Sequence, residues 1–273
     1  MTINCKGKLI DLSTPKVMGI LNVTPDSFYD GGNYKNTSTI VNQVKAMIDQ
    51  GATFIDIGGY SSRPDADDVS AEEELNRVIP IIKLILNEFP DTLISVDTFR
   101  SQVAQQAIEA GACMINDISA GHLDENMLKT VAHLKVPYIM MHMKGNPKTM
   151  KNLTNYDNLV KDILFYFSER IAKARALGII DLIIDPGFGF AKTLEQNFEL
   201  LNKFELLKIT DLPLLAGLSR KSMIYKTLNS AQEEALNGTT VLNTIALQKG
   251  ANILRVHDVK EAMECIQLTQ KLH

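Results

Sequence analysis

The sequence predicts an α/β fold, a closed (β/α)8 barrel with an N-terminal β-hairpin closing its bottom, and three observations predict it. Short, nearly continuous apolar runs rich in β-branched residues recur eight times along the chain. Segments with helical spacing separate them, several ending in glycine. No Pro/Gly/Ser-rich linker interrupts the 273 residues, a length that such barrels reach as one domain, so a single domain over 1–273 is expected. A doubly wound open sheet is the other architecture compatible with this alternation.

Each element follows in order. The opening INCKGKLIDLS alternates apolar and polar residues around Lys6-Gly7-Lys8, which predicts a hairpin. VMGILNV (17–23), FIDIGGY (54–60), LISVDT (93–98) and MINDIS (114–119) are the first four barrel strands; YIMMHM (138–143), LIIDPG (182–187), LLAGLS (214–219) and ILRVHDV (253–259) are the rest. Their apolar character is too continuous for strands with one wet face, so they are buried on both sides. Between them, TIVNQVKAMIDQG places Ile40, Val44, Met47 and Ile48 on one helical stripe, with Gly51 as a stop. AEEELNRVIPIIKLILNEF opens with acids that suit a helix N-terminus, and Pro80 is expected to bend it. SQVAQQAIEAG, NLVKDILFYFSERIAKARALG and TTVLNTIALQKG continue the rhythm.

Composition excludes several classes. A net charge of -4 and a pI near 5.8 argue against a nucleic-acid binder, which needs a basic face. No apolar run is long enough to span a membrane, and the N-terminus lacks the basic flank and apolar stretch of a secretory signal, so the cytoplasm is expected. Cys5, Cys113 and Cys265 are far apart and form no metal-binding pattern; Cys113 enters an apolar strand and is expected to be a small buried hydrophobe.

In a parallel barrel the C-terminal ends of all strands converge on one mouth. Reading each strand to its end yields Asn22, then Ser62 and Arg63, Asp97, Asn116, Met141 with His142, Asp185, Ser219 with Lys221, and Arg255 with His257. Asp97, Asn116 and Asp185 follow apolar runs, where carboxylates and amides are costly without partners. Two carboxylates and an amide suit a flat aminopyrimidine-type heterocycle that offers several N–H donors. Lys221 and Arg255 add cations, and a guanidinium can also lie over a flat ring. Arg255 and His257, spaced i, i+2, can face a phosphate together. No GxGxxG, P-loop, HExxH or EF-hand occurs, so phosphate is held by other means and a dedicated transition-metal site is not expected. Mg²⁺ sharing one protein oxygen with substrate phosphates remains compatible with the chain.

With GILNVTPDSFYDGG, IDIGGYSSRP, SVDTF, INDIS, MMHMKGNPKTM, IDPGFGFAKT, GLSRKS and LRVHDV in this order, the sequence resembles the dihydropteroate synthase family over nearly its whole length. The resemblance implies condensation of (7,8-dihydropterin-6-yl)methyl diphosphate with 4-aminobenzoate, the reaction that sulfonamides inhibit, in a homodimer. It implies that Asp97, Asn116 and Asp185 read the pterin edge, that Lys221 donates to its carbonyl or ring nitrogen, and that Met141 and Arg255 cover its faces. Diphosphate falls to Asn22, Arg255, His257, Ser62 and Arg63, with Mg²⁺ bridging Asn22 to phosphate oxygens. 4-Aminobenzoate falls to Ser62, Pro64, Phe190, Lys221 and Ser222, with Phe28 closing from the first loop and Asp26 or Asp30 helping to hold a pterin cation. Where the family commonly reads GGESTRPG, Tyr60, Ser62 and Asp65 occupy three of the places. The alternatives are a methyltetrahydrofolate-dependent methyltransferase-like barrel, an aldolase with Lys221 as Schiff base, and a barrel that binds without reacting.

Overall fold

The computed structural model describes residues 1–23, 37–61 and 69–272. β1 (Thr2–Cys5) and β2 (Lys8–Asp11) form the antiparallel hairpin, turning through Lys6 and Gly7 at positive φ. The barrel strands are β3 (Lys16–Asn22), β4 (Phe54–Gly58), β5 (Leu93–Asp97), β6 (Met114–Asp117), β7 (Tyr138–Met141), β8 (Leu182–Asp185), β9 (Leu215–Ala216) and β10 (Ile253–Val256). They pair in parallel in the order β8-β7-β6-β5-β4-β3-β10-β9. A parallel bridge between Ile184 and Leu214, with the Ile184 N–H donating to the Pro213 carbonyl at 3.0 Å, brings the two ends together. The barrel is therefore the architecture, and the open sheet is set aside.

The helices are α1 (Thr37–Asp49), α2 (Ala71–Glu88), α3 (Ser101–Glu109), α4 (Met127–Leu134), α5 (Leu159–Ala176), α6 (Leu194–Asn202), α7 (Ser222–Leu228), α8 (Leu236–Gln248) and α9 (Val259–Thr269). Local chemistry explains their starts. Ser70 accepts from the Glu73 N–H ahead of the three acids in the first turn of α2, and Thr193 and Gln196 make a reciprocal capping box on α6. α2 runs as one helix through Pro80.

Side chains alternate along each strand, so every strand feeds two cores. Outward residues such as Val17, Ile55, Ile94, Tyr138 and Leu254 pack with Val44, Val78, Ile82 and Phe167 from the helices. Inward, each of the eight strands contributes one apolar residue to a floor: Met18, Phe54, Leu93, Met114, Ile139, Ile183, Leu215 and Ile253. The hairpin supplies Ile3, Cys5, Ile10 and Leu12 to the same cluster, plugging the barrel from below. Burying each large aliphatic there is worth ~1.5–3 kcal/mol. Asn252 ties hairpin to barrel, its Nδ2 donating to Leu12 O and its Oδ1 accepting from Leu214 N, both at 2.9 Å.

Two residues above this floor the inward face turns polar: Asp56, Ser95, Asn116, Asp185 and Arg255, with Ile20, Met141 and Gly217 completing the tier. At the strand ends Asn22, Gly58 and Asp97 stand in one register row across β3, β4 and β5. This polar tier on an apolar floor positions the site.

Candidate active site

Arg255 is the hub. Its Nε donates to Asp56 Oδ2 at 2.6 Å and its Nη2 to Asp97 Oδ2 at 2.8 Å. Asn116 Nδ2 donates to the same Asp56 oxygen at 3.0 Å, and the Tyr60 hydroxyl donates to Asp97 Oδ1 at 3.2 Å. Burial opposes the Arg255 charge, but Asp56 and Asp97 outweigh it and raise its pKa, so it stays a cation. Burial pushes Asp97 up to about 7 against the pull of Arg255. Burial also lifts the Tyr60 phenol well above its usual value, so it is a donor throughout the physiological range.

Across the barrel, Asp185 Oδ1 accepts from the Gly187 N–H at 2.7 Å, which anchors the turn leaving β8. That turn needs glycine: Gly187 has φ +71°, and a Cβ there would lie 2.2 Å from the His142 carbonyl oxygen. The turn receives Lys221, whose Nζ donates to the Phe188 carbonyl and lies 4.8 Å from the centre of the Phe190 ring. Burial lowers Lys221 to about 8, with Asp185 acting in the opposite sense. Asp185 is itself raised by burial, Lys221 opposing. Gly217 keeps space open between these two groups, since a Cβ on it would sit 3.8 Å from Asp185 Oδ2 and 4.0 Å from Lys221 Nζ.

A buried lysine holds the same turn from behind. Lys192 Nζ donates to Gly187 O at 2.9 Å and Phe190 O at 3.0 Å, and lies 3.1 Å from His142 Nδ1. Burial depresses both side chains well below their usual values, and Lys192 and Lys144 further disfavour the imidazolium.

The loops after β9 and β10 are joined to each other. Ser219 Oγ is 3.0 Å from His257 Nδ1 and accepts from the His257 N–H at 3.2 Å. Arg220 makes a two-pronged ion pair with Asp258 at 2.9 and 2.7 Å. Arg220 has φ +54°, and this left-handed residue lets Ser219, Arg220 and Lys221 reach three different partners in succession.

Asp97, Asn116, Met141, Asp185, Lys221 and Arg255 thus come to the barrel mouth together, with Asn22 and His257 at its rim and Phe190 beside Lys221. Ser222 begins α7, whose N-cap, Lys221, provides no side-chain cap. Asp26, Phe28, Asp30, Ser62, Arg63 and Pro64 lie outside the described residues. His142 departs from the reading of strand ends. Alternation turns it away from the mouth, between Met141 and Met143, into a buried setting against Tyr166 and Phe167. Sequence reasoning missed Asp56 and Lys192. Two-residue counting from the floor residue Phe54 finds Asp56, whereas nothing local points to Lys192.

Among the described residues no group of three or more His, Cys, Asp or Glu side chains could cage a metal. Asn22 offers a single exposed amide at the rim. That donor set fits an ion such as Mg²⁺, which keeps most of its waters and takes its remaining ligands from substrate phosphates.

A barrel with an apolar floor, a ring of acceptors above it and two cations beside them defines a pterin-binding enzyme. The family model described as pterin binding enzyme matches residues 18–257. The dihydropteroate synthase of Escherichia coli (strain K12) is 45% identical over 273 residues, covering 99% of this chain and 96% of the relative. The Yersinia pestis dihydropteroate synthase solved with a sulfonamide drug superposes with a TM-score of 0.93 at 42% identity, covering 100% of this chain and 99% of the other. The Xanthomonas albilineans dihydropteroate synthase solved with 4-aminobenzoic acid gives 0.91 at 39% identity, covering 99% and 97%. The chain belongs to the dihydropteroate synthase family, transferases of folate biosynthesis. These relatives do not favour the methyltransferase-like alternative.

Proposed function

We propose that the described residues carry the condensation of (7,8-dihydropterin-6-yl)methyl diphosphate with 4-aminobenzoate as follows. The observation that carries the reading is the polar inward face of the mouth: Asn116 and Asp185 in the tier above the floor and Asp97 at the strand end stand together with Lys221 and Arg255. Carboxylates and an amide oxygen at that depth match the amino and ring N–H groups of a pterin, and Lys221 donates to its carbonyl or ring nitrogen. Met141 and Arg255 cover the ring faces. The carboxylates of Asp97 and Asp185 beside the ring favour the cation that forms as the methylene C–O bond breaks. The bonding pair leaves with the diphosphate, held by Asn22, Arg255, His257, Ser62 and Arg63. The amine nitrogen of 4-aminobenzoate then bonds to the methylene carbon and loses a proton, giving 7,8-dihydropteroate.

Ser62, Pro64, Phe190, Lys221 and Ser222 hold the aminobenzoate, and Asp26, Phe28 and Asp30 complete the site from the first loop. Sulfonamides, bound by the Yersinia pestis relative, compete for this place. Mg²⁺ at Asn22 supplies charge neutralisation of the diphosphate. The chain works as one domain over 1–273 in the cytoplasm. It pairs as a homodimer through C-terminal elements, where Leu206, Ile209, Val241 and Leu268 are exposed. The test is pyrophosphate release, expected to require both substrates and Mg²⁺; no turnover with all three present overturns the reading.

A further inference from the structure

We propose that Asp56 is a positioning residue of the pterin site, which sets the Asn116 amide so that its carbonyl oxygen faces the ligand and holds Arg255 beside it. The proposal rests on the reading of the inward tier as a pterin site.

Asp56 lies mid-strand in β4, fully buried, on the same inward face as Asn116, Asp185 and Arg255. A carboxylate at that depth is costly unless paired, and an apolar residue in its place would be cheaper. Its two oxygens are used unequally. Oδ2 accepts from both Arg255 Nε and Asn116 Nδ2, whereas Oδ1 is buried without a hydrogen-bond partner. All of its bonding is therefore directed at two residues of the site.

The bond to Asn116 has a chemical consequence. A primary amide has a donor end and an acceptor end, and a half-turn exchanges them. With Asp56 at Nδ2, the exchanged orientation would set Oδ1 against a carboxylate, two acceptors facing each other without a proton. Asp56 thereby locks Oδ1 to the opposite end, where it joins the carboxylates of Asp97 and Asp185 as a third acceptor. The result is selection for a heterocycle with an exocyclic amino donor over one with an oxo group at that place. Asp56→Asn removes the lock, because a neutral amide can meet either end of Asn116.

The experiment compares binding of a 2-amino-4-oxopteridine and a 2,4-dioxopteridine, both without diphosphate, by calorimetry to the wild type and to Asp56→Asn. Asp56→Ser is the second variant, and thermal unfolding is recorded for each. Wild type is expected to prefer the aminopteridine, and Asp56→Asn to lose about tenfold of that preference. A positioning role also predicts non-additivity: Asp56→Asn combined with Asn116→Ser discriminates no worse than Asn116→Ser alone. Failure of the wild type to bind the aminopteridine overturns the pterin reading itself. Normal wild-type preference with equal preference in both variants overturns only the role of Asp56. Loss of fold in both variants makes Asp56 a structural residue and overturns it as well.

Discussion

Lys192 Nζ stands 3.1 Å from His142 Nδ1, and the same ammonium donates to two carbonyls of the turn that carries Phe190. Lys192→Met would leave Phe190 O and His142 Nδ1 without this donor, whereas Gly187 O keeps the Phe190 N–H at 3.1 Å. The unmet acceptors outweigh the relief of no longer burying an amine, so the variant is expected to lose about 2 kcal/mol or more of unfolding free energy. Burial lowers the folded-state pKa of Lys192, so at alkaline pH the unfolded chain carries a proton that the folded one has shed. Wild type therefore gains stability from this group as pH rises toward 10.5, and the deficit of the variant grows in the same direction. Urea unfolding at pH 7 and pH 10 checks both size and trend. The KM for 4-aminobenzoate is expected to rise with the loosened turn.

Leu12→Ala tests the floor. Leu12 is fully buried where the hairpin meets the inward floor residues. Its truncation should cost ~2–5 kcal/mol, with the spread set by how far the plug collapses. The polar tier lies above this layer, so kcat per folded molecule should not change. Denaturant titration and active-site-normalised turnover separate the two effects, and a fall in kcat at full folding would contradict the layered arrangement.

Gly217→Ala tests the space between Asp185 and Lys221. The added Cβ would make only ordinary contacts at 3.8 and 4.0 Å, so stability should stay within ~0.5 kcal/mol of wild type. With a pterin in place the same methyl is one group too many, and overpacking costs ~1–3 kcal/mol. Calorimetry should show pterin affinity reduced at least ~tenfold with an unchanged melting temperature.

The eight strands, the hairpin and most of the mouth residues were legible because period-two burial and strand-end polarity are local properties. The run LLAGLS forms a shorter strand than its apolar character implies, because the chain leaves the sheet after Ala216 to place Gly217, Ser219 and Lys221 in the mouth. α9 is hard to see because only Val259 and Ile266 of its buried stripe are large aliphatics, the rest being Ala262, Cys265 and Thr269. Asp56 reads as one polar interruption of FIDIG until the inward tier is assembled from eight separate strands. Lys192 is illegible in principle: two of its three acceptors are backbone carbonyls, and the third is a histidine fifty positions away.

Asp97 and Lys221 together predict a narrow pH optimum with an unusual stability relation. Asp97 must be ionised to accept from a ring N–H, and Lys221 must be protonated to donate. With Asp97 at about 7 and Lys221 at about 8, kcat/KM should climb through the first value and decline above the second. Both shifts also carry a sign for folding. Asp97 is raised from 3.8, so its favourable contribution is complete below that value and is lost as pH rises through about 7. Lys221 is lowered from 10.5, so the folded state is penalised while the amine is charged and recovers between about 8 and 10.5. The window between about 7 and 8 is therefore where both groups hold the charges catalysis needs and where both cost stability. Asp97→Asn should abolish the acidic limb of the profile and weaken pterin binding. It should exceed wild type in stability, and by more at pH 8 than at pH 5, because the penalty on Asp97 accumulates from 3.8 up to about 7 and Arg255 retains Asp56 as its partner. Chemical denaturation at the two pH values, set beside the kcat/KM profile, decides the matter; an equal stability difference at both would show that Asp97 carries no charge penalty.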